Sequence, residues 1–222
     1  MSVGVAIIGA GLIAQVHALA LRARPGAHLV GFASRRRATA LHSACLMGGR
    51  AWSYEELDRM LAQPDLSLVV VASANRTHAA HVRRALGAGH TVLAEKPLAL
   101  SCEEAQSLAA AGAGARLAYA ENHWHAPAIE AAAALVADGR IGRARRVVAT
   151  LSHIGPPHGT WFWDKAQSGG GAWLDLGVHL VGTVPRLLGE PIAQIDAADF
   201  VFDGAIDVEA QVAMRTASGV PI

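Results

Sequence analysis

Cysteine is nearly absent from this chain: Cys45 and Cys102 are the two in 222 residues, and they form no C-x-x-C pair and no metal-ligand spacing. Such sparse, unpatterned usage fits a reducing, cytoplasmic compartment. Aromatic residues make up 5% and charged residues 17%, against 52% apolar. That balance describes a globular chain with a core and excludes a disordered one. Net charge is +1 with no long basic run, which argues against nucleic acid as the main partner. Charge is also missing from the start, where Arg22 is the first charged side chain after Met1. The opening MSVGVAIIG nevertheless lacks the basic n-region of a signal peptide. Gly4, Gly9, Gly11, Gln15 and His17 do not suit a membrane span either, so no membrane segment is expected. The length suffices for one large domain or two modest ones, each with its own core.

What is present explains the apolar start. Val3 to Ile8 is a short, continuous apolar run, as in a parallel strand covered on both faces. Gly9-Ala10-Gly11-Leu12-Ile13-Ala14 follows, then a helical pattern with Leu12, Val16, Leu19 and Ala20 on one side, closed by Gly26 before the strand-like HLVGFAS. Strand, glycine turn, helix, strand is the context that a G-x-G-x-x-G/A dinucleotide fingerprint requires. Gly9 and Gly11 permit the tight turn and the close approach of backbone to a pyrophosphate. The free N–H groups at the helix start, around Leu12 and Ile13, would face that anion.

Helices are expected at Arg37 to Met47, Tyr54 to Ala62, His78 to Ala88 and Cys102 to Ala113, the last capped by Ser101. LSLVVVAS and HTVLA read as further buried strands. Strands alternating with helices imply a doubly wound parallel sheet, a Rossmann-type domain, over residues 1–120. Over residues 121–222 the pattern changes. A helix from Pro127 to Asp138 is followed by the strand-like runs RRVVATLSH, AQIDAADFVF and DVEAQVAMR, with one helix, Trp173 to Leu188, between the first two. This is an α+β domain with a mostly antiparallel open sheet. After the expected hairpin turn Thr216-Ala217-Ser218-Gly219, three residues of a returning strand remain, so the second domain reads as incomplete at its C-terminal end.

At the end of the second strand, where an acid would hold a ribose 2′-hydroxyl, the chain has Ala33-Ser34-Arg35-Arg36-Arg37. A hydroxyl and guanidinium groups at Ser34 and Arg35 suit a 2′-phosphate, so NADP is expected in preference to NAD. Ligands gather at the carboxyl ends of such strands. Two of those ends carry polar groups, Ser73-Ala74-Asn75 and Glu95-Lys96-Pro97.

These residues resemble the glucose–fructose oxidoreductase, inositol dehydrogenase and rhizopine-catabolism (Gfo/Idh/MocA) oxidoreductases. The resemblance runs through GAGLIA, Asn75-Arg76-Thr77-His78, HTVLAEKPLAL, ENHWHAPAIEAAAALVADGRIG and SGGGAWLDLGVHLVGTVPRLLG. The last is the most specific, with Asp175 and His179 in the family's Asp-x-x-x-His pattern. Four apart on an expected helix, those two share a face. The resemblance implies a Rossmann domain followed by an α/β domain whose open sheet mediates homo-oligomers, and a cis Lys96–Pro97 bond. It also implies Lys96, Asp175 and His179 as the catalytic set. His179 is then the general acid/base, Asp175 its orienter and a substrate-hydroxyl acceptor, and Lys96 the contact to the reacting oxygen.

Asn75, His78, Glu95 and Lys96 are expected at the cofactor, and Asn122, His153, Asp175 and His179 at the substrate, with Trp161 and Trp163 as possible walls. A zinc site from His123, His125, His153 and His158 lacks any supporting motif, and no metal is expected. The function expected is hydride transfer between NADP(H), or NAD(H), and a carbinol or carbonyl of a sugar, cyclitol or related polyol. The rival is a non-catalytic dinucleotide-binding sensor or an inactive fragment of such an enzyme.

Overall fold

The computed structural model describes residues 2–112 and 116–222. The chain divides into two compact units, Met1–Ala120 and Glu121–Ile222.

The first unit is a six-stranded parallel sheet in the order β3-β2-β1-β4-β5-β6. Its strands are β1 (Val3–Ile8), β2 (Ala27–Ser34), β3 (Arg50–Ser53), β4 (Leu66–Val71), β5 (Thr91–Glu95) and β6 (Leu117–Ala120). Between them run α1 (Leu12–Arg22), α2 (Arg37–Met47), α3 (Leu57–Leu61), α4 (Asn75–Gly87) and α5 (Cys102–Ala111). The alternation of side chains along β1 supplies both layers of the core. Val5 and Ile7 pack with Ala14, Ala18, Phe32, Ala40 and Ala44 under α1 and α2. Ala6 and Ile8 pack with Leu57, Met60, Val82, Leu86 and Leu108 under α3, α4 and α5. That is why β1 reads as an unbroken apolar run.

Several expectations need correction. The stripe Leu12, Val16 and Leu19 of α1 is exposed, and the buried face is Ala14 and Ala18. Small side chains let the helix sit close on the sheet. The helix expected over Tyr54 to Ala62 is a 3₁₀ turn, Tyr54–Glu56, running into α3. β3 and β6, of four residues each, were not anticipated. Ser101 does cap α5, its Oγ accepting from Glu104 N at 3.1 Å, and the expected last residue of that helix, Ala113, lies outside the described residues.

The second unit holds α6 (Pro127–Ala137), the short turn α7 (Lys165–Ser168), one wide π-helical turn (Trp173–Gly177), α8 (Val178–Leu188) and the antiparallel pair β7 (Ile192–Asp203) and β8 (Ile206–Thr216). The expected strand Arg145 to His153 forms no ladder. Within this stretch Val147 N donates to Pro221 O at 2.9 Å. Val220 and Ile222 bond to β8 on their other side. The hairpin turn after β8 forms as expected, with Gly219 at φ +87. Among the described residues, no helix is long and apolar enough to cross a membrane.

Candidate active site

In the first unit the strand order reverses between β1 and β4, the point beyond whose carboxyl ends open parallel sheets bind their ligands. Gly9 follows β1 at φ +128, where an added Cβ would lie 2.2 Å from Ala72 O. Glycine is therefore required there by the protein itself. Gly11 is different: it precedes α1 with no side-chain cap, and an added Cβ would meet nothing within 4 Å. The open space beside Gly11 and the uncapped N–H groups of Leu12 and Ile13 fit the close approach of a dinucleotide pyrophosphate. Ser34 is half-buried at the end of β2, and Arg35 is exposed. Burial pushes the Tyr54 phenol up to about 12, against the smaller opposing effects of a hydrogen bond with Ser73 and of the nearby Arg35 guanidinium.

Two polar residues at the neighbouring strand ends are braced by histidines. Glu95 Oε1 lies 2.8 Å from His17 Nε2 of α1, and Glu95 Oε2 accepts from Lys96 N at 3.2 Å. The carboxylate thus ties the end of β5 to the helix behind the glycine turn. His78, 1% exposed, places Nδ1 2.7 Å from Pro97 O and Nε2 2.7 Å from Ser73 O. Its ring joins the ends of β4 and β5 and is occupied by them. The Lys96–Pro97 bond is cis. Asn75 opens α4, and Lys96 is half-buried.

In the second unit the constellation is built on α8. Glu121 begins a 3₁₀ turn, Asn122–His125, and its carboxylate accepts from His123 N at 3.0 Å. Trp124 pins that turn to α8 by donating Nε1–H to Gly182 O at 2.9 Å. The contact at Gly182 is close: an added Cβ would come 3.0 Å from Trp124 Nε1 and 3.3 Å from Glu121 Cγ. This fit lays the fully buried Glu121 carboxylate against His179, with Nδ1 2.7 Å from Oε1 and 2.9 Å from Oε2. The orienting contact expected of Asp175 is therefore made by Glu121.

Asp175 sits in the π-helical turn, a feature that often marks functional sites. Its Oδ2 lies 3.2 Å from His153 Nε2. Asp207 of β8 holds the glycine turn before it, accepting from Gly171 N and from Trp173 N, both at 2.6 Å. Asn122 is exposed at the start of its turn. Trp163 stacks on His158 at 4.0 Å and Trp161 on Phe162 at 4.0 Å, so these rings pack locally.

Neither Glu121 nor Asp207 was anticipated. Local sequence shows Glu121 at the head of a turn, but its partner lies 58 residues away, and Asp207 meets Gly171 and Trp173 36 and 34 residues away. The four-histidine zinc set does not assemble. The group that does, among the described residues, is Glu121, His123 and His179, with ligand atoms within 4.8 Å of one another. Its rings are stacked, 4.5 Å apart at 23°. A metal lies in the plane of each imidazole that binds it, at about 2 Å. Near-parallel stacked planes do not meet at that distance, so the two rings as placed do not fit one ion.

A family model for the "Oxidoreductase family, NAD-binding Rossmann fold" of GFO/IDH/MocA type matches residues 3–123, and the "GFO/IDH/MocA C-terminal domain" matches residues 129–222. The chain belongs to the Gfo/Idh/MocA oxidoreductases. Among curated family members it is 32% identical to 1,5-anhydro-D-fructose reductase of Ensifer adhaerens, over 85% of this chain and 57% of that enzyme. This chain thus spans little more than half the length of that relative. Among solved family structures it resembles GenD2 from gentamicin A biosynthesis in complex with NAD, at a TM-score of 0.86 and 33% identity, covering 99% of this chain and 64% of that one. It also resembles KijD10, a 3-ketoreductase from Actinomadura kijaniata in complex with NADP and TDP-benzene. There the TM-score is 0.88 and the identity 29%, over 100% of this chain and 68% of that one.

Proposed function

We propose that this chain carries the cofactor and proton-transfer machinery of an NADP-preferring oxidoreductase acting on a carbinol or carbonyl of a sugar, cyclitol or related polyol. The observation that carries the reading is His179, a buried histidine with one ring nitrogen on a carboxylate and the other open. Oxidising a secondary alcohol removes a hydride from carbon and a proton from oxygen. The nicotinamide, when bound, supplies the hydride acceptor. His179 takes the hydroxyl proton, and returns one to the carbonyl oxygen in the reverse direction. Lys96 is assigned as the cationic hydrogen-bond donor to the reacting oxygen, Asp175 and His153 as substrate contacts, and Asn122 as a further one.

The dinucleotide is assigned to Gly9, Gly11, Leu12, Ile13, Asn75 and the neighbouring strand ends. NADP is favoured because Ser34 and Arg35 stand at the end of β2 with no acid from Ala33 to Arg37. A guanidinium and a hydroxyl suit a phosphate better than a ribose diol. The apolar side chains exposed along β7, among them Ile195, Phe200, Val201 and Phe202, support a homo-oligomer through this sheet.

The test begins with NADPH and NADH titrations followed by nicotinamide fluorescence, then a sugar and polyol panel. NADPH is expected to bind more tightly, and Ser34→Asp to reverse the preference. His179→Ala is expected to lower turnover by ~10²- to 10⁴-fold with cofactor affinity unchanged. Cofactor binding without turnover on any sugar or polyol would overturn the catalytic reading in favour of a dinucleotide sensor or an inactive fragment.

A further inference from the structure

Two carboxylate–histidine pairs stand in the second unit, and their hydrogen bonds dictate opposite tautomers. His153 accepts the Gly155 N–H at Nδ1, 2.7 Å, so its proton is on Nε2 and is donated to Asp175 Oδ2 at 3.2 Å. Both of its ring nitrogens are engaged, and no lone pair is free to receive a substrate proton. At His179 it is Nδ1 that faces a carboxylate, at 2.7 and 2.9 Å from the Glu121 oxygens. A carboxylate only accepts, so Nδ1 carries the proton and Nε2 keeps its lone pair. Among the described residues Nε2 has no hydrogen-bond partner, and no buried side-chain nitrogen or oxygen lacks one. Nε2 is therefore the part of this 8%-exposed residue that solvent or a ligand reaches.

We propose that Glu121 is the positioning residue of the acid–base histidine. It fixes His179 as the Nδ1–H tautomer and presents Nε2 as the atom that exchanges the substrate proton, while Asp175 serves His153 instead. This rests on the reading of His179 as the acid/base and adds which residue prepares it. Three features hold the carboxylate in place. His123 N–H supplies a second donor to Oε1 at 3.0 Å, the Trp124–Gly182 bond fixes the turn, and the His123 ring stacks on His179 at 4.5 Å. A buried carboxylate is costly unless it is hydrogen-bonded and paired, and here both oxygens are used. When Nε2 takes the proton, the imidazolium formed lies directly against that negative charge and is stabilised by it, without Glu121 itself being protonated.

The experiment is ¹⁵N–¹H correlation of the histidine rings in the full chain above the titration range of imidazole, which reads the tautomer without needing turnover. Wild type is expected to show His179 protonated at Nδ1 with a pyridine-type Nε2, and His153 with the opposite pattern. In Glu121→Gln the single carbonyl oxygen is shared with His123 N–H, so the His179 signals should move toward the Nε2–H form. Asp175→Asn should leave them unchanged. On an active substrate, Glu121→Gln should lower kcat by ~10²-fold or more, with cofactor Kd unaltered. The proposal is overturned if wild-type His179 carries its proton on Nε2, or if Asp175→Asn rather than Glu121→Gln shifts its tautomer. A correct tautomer in a chain that turns over no polyol would sustain the positioning role and refute the catalytic reading alone.

Discussion

Moving from pH 7 to pH 5 should weaken the first unit through one side chain, His81. It lies on α4 at 7% exposure, with Nδ1 3.0 Å from Ser73 Oγ and its ring edge-on to Tyr54 at 4.5 Å. Burial holds its pKa down to about 4, and the electrostatic influence of the neighbouring His78 and of the Arg84 guanidinium adds to the effect. In the unfolded chain the value returns to ~6.5. The unfolded state therefore takes up the proton first. The stability that follows is complete above pH ~6.5, falls as the pH drops through the window from ~6.5 to ~4, and is fully lost below it. At pH 5 an unfolded His81 is almost wholly protonated while the folded one is about a tenth protonated, a difference worth about 2 kcal/mol. Hydrogen exchange of the β1 and β4 amides reports this unit separately from the other. Wild type should lose about 2 kcal/mol more protection between pH 7 and pH 5 than His81→Gln, once intrinsic exchange is corrected. Equal losses in the two proteins would refute the claim that a buried neutral His81 is responsible.

Two further outcomes concern the second unit. Gly182→Ala places a methyl 3.0 Å from Trp124 Nε1 and 3.3 Å from Glu121 Cγ. Urea unfolding should show a loss of about 1–3 kcal/mol typical of overpacking. Turnover should fall with NADPH affinity unchanged, because the turn that carries Glu121 must move. Asp207→Ala strands two N–H groups now bonded at 2.6 Å and should cost about 3 kcal/mol, more than Asp207→Asn, which keeps one acceptor. Calorimetry of the three proteins checks the order.

The first unit was largely legible because its signals are local. The unbroken run Val3–Ile8, the glycines after it and the alternating helices suffice for a doubly wound sheet, since a strand covered on both faces must be apolar at every position. What was misread depended on distant neighbours. The exposed stripe of α1 looks like a core face until the sheet demands alanines at 14 and 18. Arg145 to His153 has the composition of a strand, but a strand exists only beside another, and among the described residues this stretch joins no ladder. Lys96, Asp175 and His179 could be singled out from Glu-Lys-Pro and Asp-x-x-x-His, and the spacing of the second motif offered Asp175 as the natural partner of His179.

The layered α/β architecture of the first unit and the glycine turn open to a dinucleotide are written in the local sequence, and the motif that marks His179 as the candidate acid–base residue can be read there too. The first two follow from periodicity and from conformational limits set within a few residues, and the third from the resemblance of Asp175 and His179 to the family's Asp-x-x-x-His pattern. Only the tertiary structure decided which carboxylate serves which histidine. Glu121 reaches His179 across 58 residues of chain because Gly182 lets Trp124 dock on α8. Hydrogen bonding between residues so far apart is fixed by packing, which no local pattern encodes.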